Sequence, residues 1–320
     1  MSFLKQWIGA VLVALPTMCH WTACAPLPEP RAGYAAGVLA GRLIVAGGSS
    51  WIGGKKSQTA ATDAYDPECN CWSRLPPLPA ALSDAESVTV GGKLFVLGGA
   101  HRAEGLRQVY VFDGQSWTQR ANMELPEPRL LGAAVTDGRR IFLLGGISRP
   151  GDYTSGLKTI WSIDLDDASR GWTALPELPG AARVSFGAVF ESGRILVIGG
   201  YESDRAVRGN LQDIWSFNTS SRQWSRTGTL PEGRRAMAAI VAHREIFLLG
   251  GFTQDFSADI LALSGNGAVR IGKLPQPVAD AKFFAIGPRW YTTGGEIGIH
   301  IRGSQTWSGE FVWPAEENRK

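Results

Sequence analysis

Six glycine pairs dictate what this chain can become. Gly47-Gly48, Gly98-Gly99, Gly145-Gly146, Gly199-Gly200, Gly250-Gly251 and Gly294-Gly295 each close a short apolar or β-branched run: RLIVAGG, KLFVLGG, RIFLLGG, RILVIGG, EIFLLGG and RWYTTGG. Such runs read as buried strands that end where the backbone needs a positive φ or a close approach to a neighbour. The first glycines are spaced 44 to 54 residues apart. A second marker fixes the phase. Trp21, Trp72, Trp117, Trp172 and Trp224 each open a segment ending in Leu-Pro, 26 to 28 residues before the next glycine pair. These segments read as outer strands, stopped by a proline that cannot continue a hydrogen-bonded ladder. The equivalent position before the last pair is Val269 (AVRIGKLP), so one unit has lost its tryptophan.

The spacing is that of kelch repeats, in which one repeat makes one four-stranded propeller blade. The fold expected is all-β, a six-bladed kelch-type β-propeller. Its first outer strand, over residues 21–28, precedes the first glycine pair, and the sixth unit ends after its inner strands. The N-terminal strand is therefore expected to complete the last blade and close the ring, removing two exposed sheet edges.

The rest of the composition narrows the function. A net charge of +3 without a basic block gives no support for nucleic-acid binding, and no apolar run reaches the length of a spanning helix. Lys5, the uncharged residues 7–15 (WIGAVLVAL) and Pro16 read as a signal peptide over 1–19. The propeller then occupies 20–314 and a polar tail 315–320, with a periplasmic or secreted location. Cys19 and Cys24 stand where a lipoprotein would carry its lipid, although a closing strand that keeps Trp21 argues against Cys24. Cys69 and Cys71, one residue apart, are poorly placed to bond each other, and no histidine-rich partner suggests zinc; neither a metal nor a cofactor is expected.

Two sets of loops should share one face of the ring: those after each glycine pair and those after each Leu-Pro. The first set holds nine Lys or Arg, including Lys55, Lys56, Arg102, Arg205 and Arg302, against six acids, including Asp204 and Glu296. A cationic rim over a central funnel suits an anionic ligand. Arg31, Arg129, Arg183, Arg234 and Arg235 follow the Leu-Pro segments, where tying adjacent blades together is the favoured role. In the sixth unit an acid, Glu296, stands directly against the glycine pair, where partial burial would suit a carboxyl to acid/base work.

Two stretches resemble the N-acetylneuraminate (sialic acid) mutarotase family of periplasmic six-bladed kelch propellers. One is PLPEPRAGYAAG from Pro26 with the later WIGGKK from Trp51; the other is GGEIGIHIR from Gly294, against the family's G-E-I-x-P-G-x-R. Ile299-His300 replaces the Pro-Gly turn. The resemblance implies an anionic-sugar mutarotase in which Glu296 and Arg302 are catalytic and Trp51, Lys55, Lys56, Arg31 and His300 bind substrate, without metal or cofactor. The alternative is a non-catalytic propeller that binds a protein or glycan on its loop face. A copper radical oxidase is disfavoured, because His20, His101, His243 and His300 are the only histidines and no Tyr/Cys/His constellation accompanies them.

Overall fold

A computed structural model describes residues 17–203 and 208–312. Residues 1–16, most of the signal peptide expected over 1–19, and residues 313–320, which include the polar tail expected over 315–320, lie outside the described residues, as do Asp204 and Arg205. The described chain forms six four-stranded antiparallel sheets. Blade one runs through Ala35–Leu39, Arg42–Ala46, Thr62–Asp66 and Cys71–Leu75 from axis to rim, and the next four blades repeat that order. In blade six, Lys282–Ile286, Arg289–Thr293 and Thr306–Val312 are completed by the N-terminal strand Thr17–Cys24. Its register with the last strand runs from Thr17↔Val312 to Cys24↔Thr306, with an irregularity between Met18 and Trp21. The closing strand thus lies four residues earlier than the expected 21–28, because Pro26 and Pro28 keep the following residues out of the ladder.

The glycine pairs are where one blade meets the next. In every pair both residues have positive φ, for example +65° and +94° at Gly98 and Gly99. The second glycine donates its N–H to the following blade's entry loop: Gly48 to Leu82 O at 2.8 Å, Gly99 to Arg129 O at 2.7 Å and Gly295 to Arg31 O at 3.0 Å. A Cβ on Gly98 would lie 2.4 Å from that same Arg129 carbonyl. Glycine is required there by both conformation and space.

The carbonyl acceptors belong to a second repeated device. Arg31, Arg129, Arg183 and Arg234 have 0–1% exposure. Each bonds the first glycine of its own blade, sixteen positions further along the chain: Arg129 Nη1 donates to Gly145 O at 2.6 Å, Arg183 to Gly199 O at 3.1 Å and Arg234 to Gly250 O at 2.7 Å. The backbone carbonyl therefore holds the preceding blade while the guanidinium holds its own. Acids complete the set: Asp63 for Arg31, Glu127 for Arg129, Asp213 for Arg183, and Glu232 with Asp259 for Arg234. At the two remaining junctions Leu82 and Val278 take the arginine's place.

The tryptophans pin the same junctions at the rim. The indole N–H of Trp21 donates to Lys273 O, Trp72 to Ala25 O, Trp117 to Pro76 O, Trp172 to Met123 O and Trp224 to Pro176 O. Where Val269 replaces tryptophan, between blades four and five, the backbones approach instead: Thr229 N–H donates to Asn266 O at 2.8 Å.

One expectation is corrected. Cys69 and Cys71 form a disulfide. Asn70 between them adopts a left-handed φ of 48°, which folds the turn and sets the Cα atoms 5.3 Å apart, within disulfide range.

Candidate functional site

Six residues encircle the axis at the start of the innermost strands: Gly33, Asp84, Leu131, Ser185, Ala236 and Asp280. All have left-handed φ, between 50° and 63°. Backbone hydrogen bonds run from one to the next: Asp84 N–H to Gly33 O, Leu131 to Asp84 O, Ser185 to Leu131 O, Ala236 to Ser185 O and Asp280 to Ala236 O, at 2.6–3.1 Å. This collar narrows a funnel of about 1090 Å³ that opens on the face of the post-glycine loops. Beneath it the innermost strands line a shaft of about 240 Å³.

Blades six, one and two supply the charged wall. The loop of blade six is a small hairpin, Glu296–Gly298 against Ile301–Arg302, in which Glu296 and Arg302 are cross-strand partners. Their side chains form an ion pair at 2.8 Å, with Arg302 8% and Glu296 33% exposed. The loop of blade one is a hairpin of Ser49–Ile52 and Lys55–Gln58. Gly53 and Gly54 make its two-residue turn with φ of 55° and 74°, as such a turn requires. Trp51 stacks on His300 across the ring-closing junction, with ring centroids 3.7 Å apart. Lys56 pairs with Asp84 of the collar at 2.7 Å. A Cβ on Gly33 would lie 2.3 Å from Asp84 Oδ1, so glycine leaves the space that this carboxylate fills.

The sequence-derived residues divide accordingly. Glu296, Arg302 and Lys56 line the funnel, and Trp51 and His300 brace its rim. Lys55 is exposed on the outer part of its hairpin. Arg31 does not join them: it is fully buried against Asp63 and the carbonyls of Gly47 and Ala61, as a tie between blades. Arg235 is the one member of the post-Leu-Pro set that faces the funnel. It is held between the rings of Tyr201 and Phe252, at 4.9 and 4.2 Å, and donates to Asn210 Oδ1 at 2.8 Å. Tyr153 stands beside it, 5.9 Å from Tyr201.

Asp84 and Asp280 were not singled out from the sequence, yet they are the acids of the collar. The signal was present: each collar residue stands fourteen positions before the first glycine of its pair, and only at 84 and 280 is that residue charged. Burial, together with the neighbouring Glu296 and Asp84, raises the Asp280 carboxyl to about 7, against the opposing charges of Lys282 and Arg302. Glu86, buried in the shaft, is likewise raised by burial, opposed by Lys282 and by the Gly132 N–H. Among the described residues no group of three or more metal-ligating side chains forms, and no helix is long and apolar enough to cross a membrane.

With six closed blades and this loop-face funnel, the chain belongs to the kelch-repeat propellers. The family model described as the KLHDC2/KLHL20/DRC7 Kelch-repeats domain matches residues 84–295, and a Kelch motif matches residues 30–79. Curated relatives include the Kelch-like protein terF of Aspergillus terreus, 28% identical over 236 residues, which cover 69% of this chain and 50% of that protein. Kelch-like protein 35 of Mus musculus is 28% identical over 261 residues, 78% of this chain and 42% of its own. The chain thus spans half or less of the length of these relatives. Among solved structures, that of YjhT matches with a TM-score of 0.73 at 14% identity, covering 92% of this chain and 98% of YjhT, and so shares the fold.

Proposed function

We propose that this propeller is a binding module whose loop-face funnel receives a glycan or a protein segment. The observation that carries this reading is the funnel itself, where charged groups of blades six, one and two face Tyr153 and Arg235 across a space of about 1090 Å³. That space is of the size that ligand sites occupy, and loops on a rigid scaffold are the usual place for such a site. A glycan array and a pull-down with the purified protein test it. Binding is expected to be lost, by about ten-fold or more, on Arg302→Met. Binding that no funnel substitution alters would sink the reading.

A second reading, a sugar-acid mutarotase, is favoured by one specific observation: the Glu296–Arg302 pair lies in the funnel. Anomer exchange needs a proton taken from the anomeric hydroxyl and one delivered to the ring oxygen. Glu296 would relay protons, Arg302 would hold the sugar carboxylate, and Lys56 would contribute charge. Proton NMR exchange between the anomers of N-acetylneuraminate is then expected to accelerate with the protein and to slow about a hundred-fold or more with Glu296→Gln. Unchanged exchange would exclude this substrate. The basic, apolar N-terminus supports export to the periplasm or the medium under either reading.

A further inference from the structure

The acids that line the funnel and its shaft are satisfied by protein partners, with one exception. Asp84 accepts from Lys56 Nζ at 2.7 Å and from Ser83 Oγ at 2.9 Å. Glu296 holds Arg302, and Glu86 in the shaft accepts from the Gly132 N–H. The Asp280 side chain, at the throat of the funnel, makes no hydrogen bond or ion pair with any described residue. The groups around it come from every neighbouring element: Glu296 and Arg302 of the blade-six hairpin, Asp84 of the collar with its partner Lys56, Lys282 on its own strand, and the Tyr34 hydroxyl, which is committed to Thr293 O. The Asp280 carboxyl is only partly buried and opens into the funnel, so it is free to exchange water for a polar group of a ligand.

We propose that Asp280 is a ligand-contacting residue of the funnel and that it takes a hydroxyl of a saccharide-type ligand. The proposal rests on the funnel being the binding site. Hydroxyl is the group that fits, because both protonation states of a carboxyl titrating at about 7 are populated near neutrality. A hydroxyl can donate to the ionised form and accept from the protonated one, whereas an ammonium satisfies only the first and a carboxylate only the second. The facing wall agrees. Tyr153 and the Arg235 guanidinium, backed by Tyr201 and Phe252, present flat surfaces for the C–H face of a sugar ring. Arg302, only 8% exposed, lines the same funnel with its guanidinium paired to Glu296.

The test uses Asp280→Asn and Asp280→Ala. Both are compatible with the left-handed backbone: asparagine tolerates it, and Ala236 already occupies the equivalent place with φ of 52°. A printed array of neutral and acidic glycans is followed by calorimetry of the strongest neutral glycan between about pH 6 and pH 8. For the parent, affinity should tighten as pH rises through the Asp280 titration, since a hydroxyl donates more strongly to the ionised carboxyl. Both variants should bind about ten-fold or more weakly, and the pH dependence should vanish. Folded-state stability gives an independent readout. A carboxyl raised above its unfolded value makes the native state lose stability as pH rises from about 4 to beyond 7, so that decline should be shallower in Asp280→Asn. Glycan binding lost in Arg302→Met but undiminished in Asp280→Asn would overturn the proposal and leave the funnel reading standing. The saccharide assignment is equally overturned if no glycan binds while a protein segment does, and loss of both kinds of binding removes the funnel reading with it.

Discussion

Arg183→Leu is expected to destabilise the ring by about 3–5 kcal/mol, because it leaves a buried acceptor set without its cation. Arg183 is fully buried and bonded to Gly199 O and to both oxygens of Asp213. Asp213 would keep only the Trp215 indole, at 2.6 Å. The melting temperature should fall by about 10 °C on that basis. Adding Asp213→Gln should restore most of the loss. The double variant then reproduces the junction between blades one and two, where Leu82 stands in place of the arginine and Gln108 in place of the acid. Failure of the second substitution to rescue would show that the pair contributes more than mutual neutralisation. The pH dependence follows from Asp213. Burial would raise its carboxyl, but the Arg183 hydrogen bond and charge and the Trp215 N–H hold it below the ordinary value. Its contribution is therefore present above the unfolded pKa and lost as pH falls through the lower folded one. Acid unfolding below about pH 4 should be shallower in Arg183→Leu than in the parent.

The second large effect concerns ring closure. Removing the chain through Cys24 is expected to lower the melting temperature by more than about 10 °C and to promote association, since Thr306–Val312 becomes an open strand edge. Trp21 carries much of this. Its ring lies against Phe283 at 6.4 Å and against Gly309, where a Cβ would come within 2.8 Å of it, and its N–H holds Lys273 O of blade five. Trp21→Ala alone should cost about 2–3 kcal/mol, less than for a fully buried ring because this one is partly exposed. Supplying the segment Thr17–Cys24 as a peptide should recover part of the loss. Thermal unfolding of the truncated chain that matched the parent would show that the blades close without it.

The architecture was legible because each repeat carries two kinds of punctuation with a single physical cause. The glycine pairs are forced by the inter-blade carbonyl, and the tryptophans by the rim contact, so both recur at fixed phase. Less was legible wherever a residue acts across a junction rather than along its own strand. The sequence offers Arg31 two roles, a tie between blades and a substrate contact on the loop face, and its packing onto Asp63 leaves only the first. The Cys69–Cys71 bond depends on the left-handed Asn70, a conformation that spacing alone does not reveal. Glu296 was readable from its place against the glycine pair and Arg302 only through the resemblance of GGEIGIHIR, whereas the hairpin that makes them cross-strand partners appears in the fold alone. Asp280 was not readable, since its importance comes from the collar, which brings blades two and six to the same axis.

Hydrogen–deuterium exchange with and without the strongest array or pull-down ligand tests the central claim, that ligand enters the loop-face funnel. Protection should fall on Lys55–Gln58, Ala100–His101 and Glu296–Gly298, the loops that ring the mouth. Protection confined to the opposite-face turns at Gly91-Gly92 and Asp137-Gly138 would contradict it.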